Sequence, residues 1–167
     1  AGLLFLTYRG MTTTPVGFVP FQDKGYLIVN VQLPDAASLQ RTSAVMAEVD
    51  KICRDEAGVG HTVGIAGYSV VLGANGSNYA SVFVILDEFE HRRHHPDQNG
   101  FAVLFRLQAK LRREVQDAVV LVLPAPPVDG LGAAGGFKVM VQDRGDMGFD
   151  ELARATNGFV AGAAKAE

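Results

Sequence analysis

Apolar residues alternate along two segments of this chain, two further short segments read as strands, and apolar residues recur at every third or fourth position in two longer ones. Their order is strand, helix, strand, strand, helix, strand. Period and order together predict an α+β protein (α/β in the broad class) with a ferredoxin-like βαββαβ split sandwich, in which both helices cover one face of a single sheet. A further β-α pattern after residue 124 predicts the start of a second unit of the same kind.

The first strand spans Gly25–Leu33. Leu27, Val29, Val31 and Leu33 alternate with Tyr26, Ile28, Asn30 and Gln32, a half-buried pattern. Pro34 and Asp35 turn the chain, and Ser38 is placed to cap a helix over residues 38–57. Val45, Met46, Val49, Ile52 and Cys53 form its apolar stripe, and Gly58 and Gly60 end it. Thr62–Tyr68 reads as the second strand, Val70–Ser77 as a glycine-containing loop, and Tyr79–Leu86 as the third strand. His91–Gly100 reads as a charged loop. Phe101, Leu104, Phe105, Leu111 and Val115 mark the second helix. Val119–Leu123, closed by Pro124, is the fourth strand. Beyond a Pro/Gly-rich link, Phe137–Gln142 reads as a strand and residues 149–165 as a helix.

The ends and the composition exclude several classes. Ala1–Leu6 is apolar and then meets Thr7, Tyr8 and Arg9. It reads either as an irregular or strand-like terminus or as the last turns of a transmembrane helix, with Tyr8 and Arg9 at the interface. Lys+Arg 15 against Asp+Glu 18 gives a net charge of −3, which argues against a nucleic-acid binder held by bulk positive charge. Tyr26, Ile28, Tyr79 and Phe83 on the open sheet face invite comparison with an RNA-recognition sheet, but the basic Gly-aromatic pattern is missing. The single cysteine, Cys53, excludes an intrachain disulfide, and its place on an apolar stripe reads as an inert buried thiol.

Two motifs invite sharper readings. Gly130–Gly135 fits G-x-G-x-x-G, yet Pro126 and Pro127 precede it and a strand follows it. A dinucleotide site needs the reverse context, so the glycines read as a bent connection and no cofactor is called for. His91, His94 and His95 sit among Arg92, Arg93 and Asp97 without the spacing of a tetrahedral metal site, so they read as a solvated loop. The residues taken alone give an amphipathic open sheet face beside a glycine loop, a combination suited to binding apolar ligands.

Five segments together resemble the inner-membrane pump subunit of resistance-nodulation-division (RND) efflux systems, of the hydrophobe/amphiphile or acriflavine-resistance-B type. They are Phe18–Gly25; Val31–Pro34; Gly67–Asn78 with Phe83, then Leu86–Phe89 and Arg92; Leu123–Pro127 with Gly130–Phe137; and Gln142–Gly145. The resemblance runs in order over nearly the whole chain. It implies that residues 1–14 end a transmembrane helix, that residues 15–124 form the first porter subdomain of the C-terminal half, and that residues 125–167 begin the second. It implies an inner-membrane protein whose segment here is periplasmic. It also implies a proton-driven homotrimer working with a periplasmic adaptor (membrane fusion) protein and an outer-membrane channel, and exporting amphiphilic or hydrophobic small molecules such as drugs, dyes and detergents. The proton relay lies in membrane helices outside this segment.

By the same resemblance, Ile28, Asn30 and Gln32 match pocket positions on the first strand, and Tyr68 and Phe83 match aromatic pocket positions. Val63, Ile65 and Val70 are further pocket positions, Val63 and Val70 falling where the family's drug pumps carry Phe, and Val119 and Leu121 fall at aromatic positions near the entrance. The segment Gly67–Ser77, with Gly67, Ser69, Val71, Leu72, Gly73 and Gly76, matches a glycine-rich switch loop between two pockets. Aliphatic residues in place of aromatic ones put broad recognition of flat cationic drugs in doubt. Two other classes stay open on the residues alone. One is a stand-alone ferredoxin-like binding module. The other is an acylphosphatase-like hydrolase, which lacks a convincing arginine in a tight loop.

Overall fold

The computed structural model describes residues 2–13, 22–128, 132, 134 and 139–163. It divides into two units, Ala1–Gly136 and Phe137–Glu167. The first unit opens with helix α1, Gly2–Thr13, and continues through β1 (Tyr26–Gln32), α2 (Leu39–Arg54), β2 (Val59–Ser69) and β3 (Ala74–Leu86). A short helix α3 (Phe89–Arg92), a 3₁₀ turn (Pro96–Gln98), α4 (Gly100–Glu114) and β4 (Val119–Pro124) complete it. The sheet order is β2-β3-β1-β4, with all three neighbouring pairs antiparallel. The fold is therefore the α+β split sandwich that the periodicities predict.

The core lies between the sheet and the two long helices. Leu27, Val29 and Val31 of β1 and Ala80, Val82 and Val84 of β3 meet Val45, Val49 and Ile52 of α2 and Val103, Leu107 and Leu111 of α4. Helix α2 starts where the sequence places its cap, with Ser38 Oγ accepting from Arg41 N at 3.3 Å. Cys53 is fully buried on its inner face, and burial pushes its thiol pKa up to about 12.

Helix α4 turns part of the expected stripe inward, Leu111 and Val115 with Leu104 packed beside them, but not its phenylalanines. Val103, Leu107 and Leu111 are buried, with Val115 just beyond, whereas Phe105 is 68% exposed and Phe101 also faces out. The helix carries two overlapping apolar stripes, and its N-terminus is held by two contacts. Asn99 Oδ1 accepts from Phe101 N and Ala102 N, while Gly100 packs against Asp23, where a Cβ would lie 2.8 Å from the carboxylate.

That carboxylate closes one end of the sandwich. Arg92, 4% exposed, donates to Asp23 Oδ2 at 2.7 Å and Oδ1 at 3.3 Å, and to the carbonyls of Asp87 and Gln98. Asp23 also accepts from Gly25 N and Gly100 N. Burial raises the Asp23 pKa, but the Arg92 hydrogen bond, the two backbone N–H groups and the Arg92 charge outweigh it and hold the carboxyl below its ordinary value. The expected charged loop at 91–100 is thus partly helical and organised around Arg92.

Other expectations need correction. The terminus is neither irregular nor strand-like but helical, with Leu3, Leu4, Phe5, Leu6 and Tyr8 all exposed. Among the described residues no helix is long and apolar enough to cross a membrane. In the second unit, Val139–Gln142 is not a strand: these residues are exposed and no strand is described beside them to satisfy a ladder. Phe137 and Lys138 lie outside the described residues, as do most of the Gly130–Gly135 glycines and residues 164–165 of the expected last helix. Helix α5, Phe149–Ala163, has no buried residue. The Asp143 carboxylate accepts from the backbone N–H groups of Gly145, Met147 and Gly148, and these bonds hold its pKa below the usual value.

Candidate functional site

The candidate site is the sheet face opposite the helices. Antiparallel register lines its residues up in rows, because directly paired residues share a face. Val63, Phe83, Ile28 and Leu123 form one row across all four strands. Ile65, Ser81, Asn30 and Leu121 form the next, followed by Tyr79, Gln32 and Val119. Eight of the ten sequence-derived binding positions therefore come together on one surface, from Val63 and Ile65 on one edge to Val119 and Leu121 on the other. None of the residues in these rows carries a formal charge.

The two remaining positions, Tyr68 and Val70, lie on a strap that folds over this face. Ladder pairing extends further than expected: Tyr68 pairs with Asn75 and Ser69 with Ala74, after an irregularity between Ala66 and Tyr68. The loop expected over Val70–Ser77 is therefore only a four-residue turn, Val70–Gly73. Gly67 and Ser69 belong to β2 and Gly76 to β3. Backbone pairing wins here because it satisfies N–H and C=O groups that a loop would leave to water. Gly67 and Gly73 adopt φ of +85° and +67°, the left-handed region where glycine is unstrained. Gly76 serves close approach instead, since a Cβ there would sit 2.8 Å from the Tyr79 ring.

Hydroxyls and an amide fasten the strap to the sheet. Ser69 Oγ donates to Asn30 Oδ1 at 2.8 Å and accepts from Leu72 N at 3.2 Å. Ser81 Oγ donates to the Tyr68 carbonyl at 3.0 Å and accepts from Val70 N at 3.0 Å. Ser69 and Ser81 are fully buried, and no buried side-chain polar atom among the described residues lacks a partner. This corrects the half-buried reading of the first strand. Ile28 is 1% exposed although it faces away from the core, and Asn30, bonded to the strap, is 9% exposed. What remains open is an aliphatic rim of Val63, Ile65, Leu72, Val119 and Leu121, all exposed. Ser81 lies on this face by alternation with Tyr79 and Phe83, and sequence reasoning gave it no role. The signal was available, since Asn30 and Ser81 are the polar interruptions of two alternating strands.

Nothing in this arrangement is a nucleophile with its base, and no group of His, Cys, Asp and Glu among the described residues could hold a metal. His91, His94 and His95 are exposed and do not converge. What the surface offers is contact: an uncharged apolar sheet with a few fully satisfied polar groups.

The sequence model of the AcrB/AcrD/AcrF family matches residues 1–167. The chain belongs to that family. It is 33% identical over 174 aligned positions, 99% of its length, to the multidrug/solvent efflux pump membrane transporter MepB of Pseudomonas putida. It matches the toluene efflux pump membrane transporter TtgB, also of Pseudomonas putida, equally well, at 33% over 99% of the chain. The multidrug resistance protein MdtF of Escherichia coli is 28% identical over the same share. The chain spans about 15% of the length of these relatives. All three are named as transport or resistance proteins, in keeping with the family that the five sequence segments resemble.

The family gives the Asp23–Arg92 pair a further meaning. Two of the segments that carry the resemblance, Phe18–Gly25 and Leu86–Phe89 with Arg92, are far apart in sequence. In the fold they supply the two ends of one buried ion pair.

Proposed function

We propose that this chain is the periplasmic porter portion of a proton-driven RND efflux transporter in the bacterial inner membrane, with the uncharged sheet face as one wall of the substrate path. Residues 1–14 end a transmembrane helix, residues 15–124 form one porter subdomain, and residues 125–167 begin the next. The observation that carries this reading is that eight of the ten pocket positions the resemblance assigns share one sheet face, with members on all four strands. The exposed apolar α1 fits the end of a membrane helix.

The strap, Gly67–Ser77, is the switch element. Its two left-handed glycines allow its ends to change direction, and its few hydrogen bonds to Asn30 and Ser81 can be broken and remade. The rim is aliphatic, so contact rests on burying apolar area, at about 25 cal/mol per Å². That suits hydrophobic and amphiphilic solutes better than flat cations. The assembled pump is a homotrimer that acts with a periplasmic adaptor and an outer-membrane channel.

The test is efflux by the whole pump carrying Val63→Lys or Leu121→Lys. A charge on the rim would cost a bound apolar solute its dry contact, so efflux of toluene or an apolar dye falls at least tenfold with normal trimer yield. Unchanged efflux by both variants overturns the assignment of this face.

A further inference from the structure

Strand β4 is an edge of the sheet: β1 occupies one side of it, and no described strand occupies the other. Such an edge presents a row of backbone N–H and C=O groups that another chain can pair with. Here the side-chain amide of Gln108, on α4, meets it. Gln108 Nε2 donates to the Val120 carbonyl at 3.1 Å, and Gln108 Oε1 accepts from Val122 N at 2.8 Å. One donor and one acceptor, spaced two residues apart, are what a single residue of a neighbouring strand would present across Leu121. The glutamine amide thus stands in for a strand.

The edge it covers is self-complementary. By alternation, Val120 and Val122 both direct their N–H and C=O groups outward, while Val119, Leu121 and Leu123 bond toward β1. Two copies can therefore pair antiparallel about Leu121, Val120 of one facing Val122 of the other. Val119–Leu123 contains only Val and Leu, with no charge, Pro or Gly to oppose that pairing. Val119 is 73% exposed and Leu121 is 47% exposed, so apolar contact would reinforce it.

We propose that Gln108 closes the outer edge of β4 against a second copy of this chain. The device is independent of the transport reading and would operate whatever the sheet face binds. It also explains a polar side chain held between the helix and the edge of an otherwise apolar strand.

Sedimentation of the 167-residue chain across a range of concentrations tests it. Gln108→Met keeps the length and apolar stem but removes the amide. It should self-associate at least tenfold more tightly than the parent chain. Adding Val120→Pro removes an outward N–H and should return the parent behaviour. Association no tighter than the parent, or association that survives Val120→Pro, overturns the proposal. Hydrogen exchange on the unaltered chain gives a second reading that needs no variant. Val122 N–H, bonded to Gln108, should exchange about tenfold more slowly than Val120 N–H on the same edge. Equal rates, whether both fast or both slow, overturn it.

Discussion

Replacing Asp23 by Asn probes the ion pair that closes the sheet end. The change keeps shape and removes charge. Arg92 stays buried, its side chain 3% exposed, with an amide in place of its counter-ion. The carboxylate receives four donors: two from Arg92 and the N–H groups of Gly25 and Gly100. An asparagine has one acceptor oxygen, so its NH₂ group must face donors. Breaking a buried pair from one side costs about 3–5 kcal/mol, and the 24% exposure of Asp23 lets water reduce that toward about 3 kcal/mol.

Urea unfolding followed by far-UV circular dichroism measures the loss. With a slope of about 1–3 kcal/mol per molar, the midpoint falls by roughly 2 M. The pH dependence supplies a control with a definite sign. The folded pKa of Asp23 is depressed, so its contribution is present above the unfolded value near 3.8 and lost as pH falls through the folded value. The gap between parent and variant is therefore widest at neutral pH and narrows below about pH 4. A combined Asp23→Leu and Arg92→Met variant leaves no buried charge and is more stable than Asp23→Leu alone. A loss under about 0.5 kcal/mol at pH 7 for Asp23→Asn, or a gap that widens in acid, refutes the reasoning.

Three further outcomes follow from the strap and the core. Ser69→Ala leaves the Asn30 side-chain carbonyl and Leu72 N–H without their shared hydroxyl, at about 1–3 kcal/mol confined to the strap. Amide exchange at Leu72 and Gly73 accelerates at least tenfold while the β1 amides hold. Gly73→Ala costs about 1 kcal/mol from its positive φ alone, since nothing lies within 4 Å of the new Cβ. Gly67→Ala costs about as much from its positive φ, since its Cβ meets only the end of the Leu39 side chain at an ordinary 3.4 Å; thermal melts of the two variants should agree within about 0.5 kcal/mol. Cys53 resists thiol reagents at pH 8 in the folded chain and reacts promptly in urea, because burial holds its pKa near 12. Rapid labelling of the folded chain contradicts that burial.

The strands and helices were legible because their determinants are local. The alternation from Tyr26 to Leu33 and the spacing of Val45, Val49 and Ile52 place these residues on faces whatever they pack against. Ser38 caps its helix through a contact three residues away. Where two local readings competed, periodicity offered no means of choosing. Phe101 and Phe105 were expected in the core with Leu111, whereas the fold buries Val103 and Leu107 beside Leu111 instead. The glycines at 73 and 76 looked like one loop, although one makes a turn and the other admits a ring.

The site divides along the same line. Its members were named from family positions, and the row of Val63, Phe83 and Ile28 follows from strand register. The covering of Asn30 does not follow, since it depends on Ser69 reaching a residue 39 positions earlier. The pairing of Arg92 with Asp23 joins residues 69 positions apart. Gln108 reaches β4 across the helix-to-strand connection. The sequence by itself determined the four strands and two long helices of the sandwich, most of their inward faces, and the family, because periodicity and motifs are properties of neighbouring residues. Only the tertiary structure decided which polar groups are buried and what satisfies them, because a hydrogen-bond partner is a matter of distance in space and not of separation along the chain.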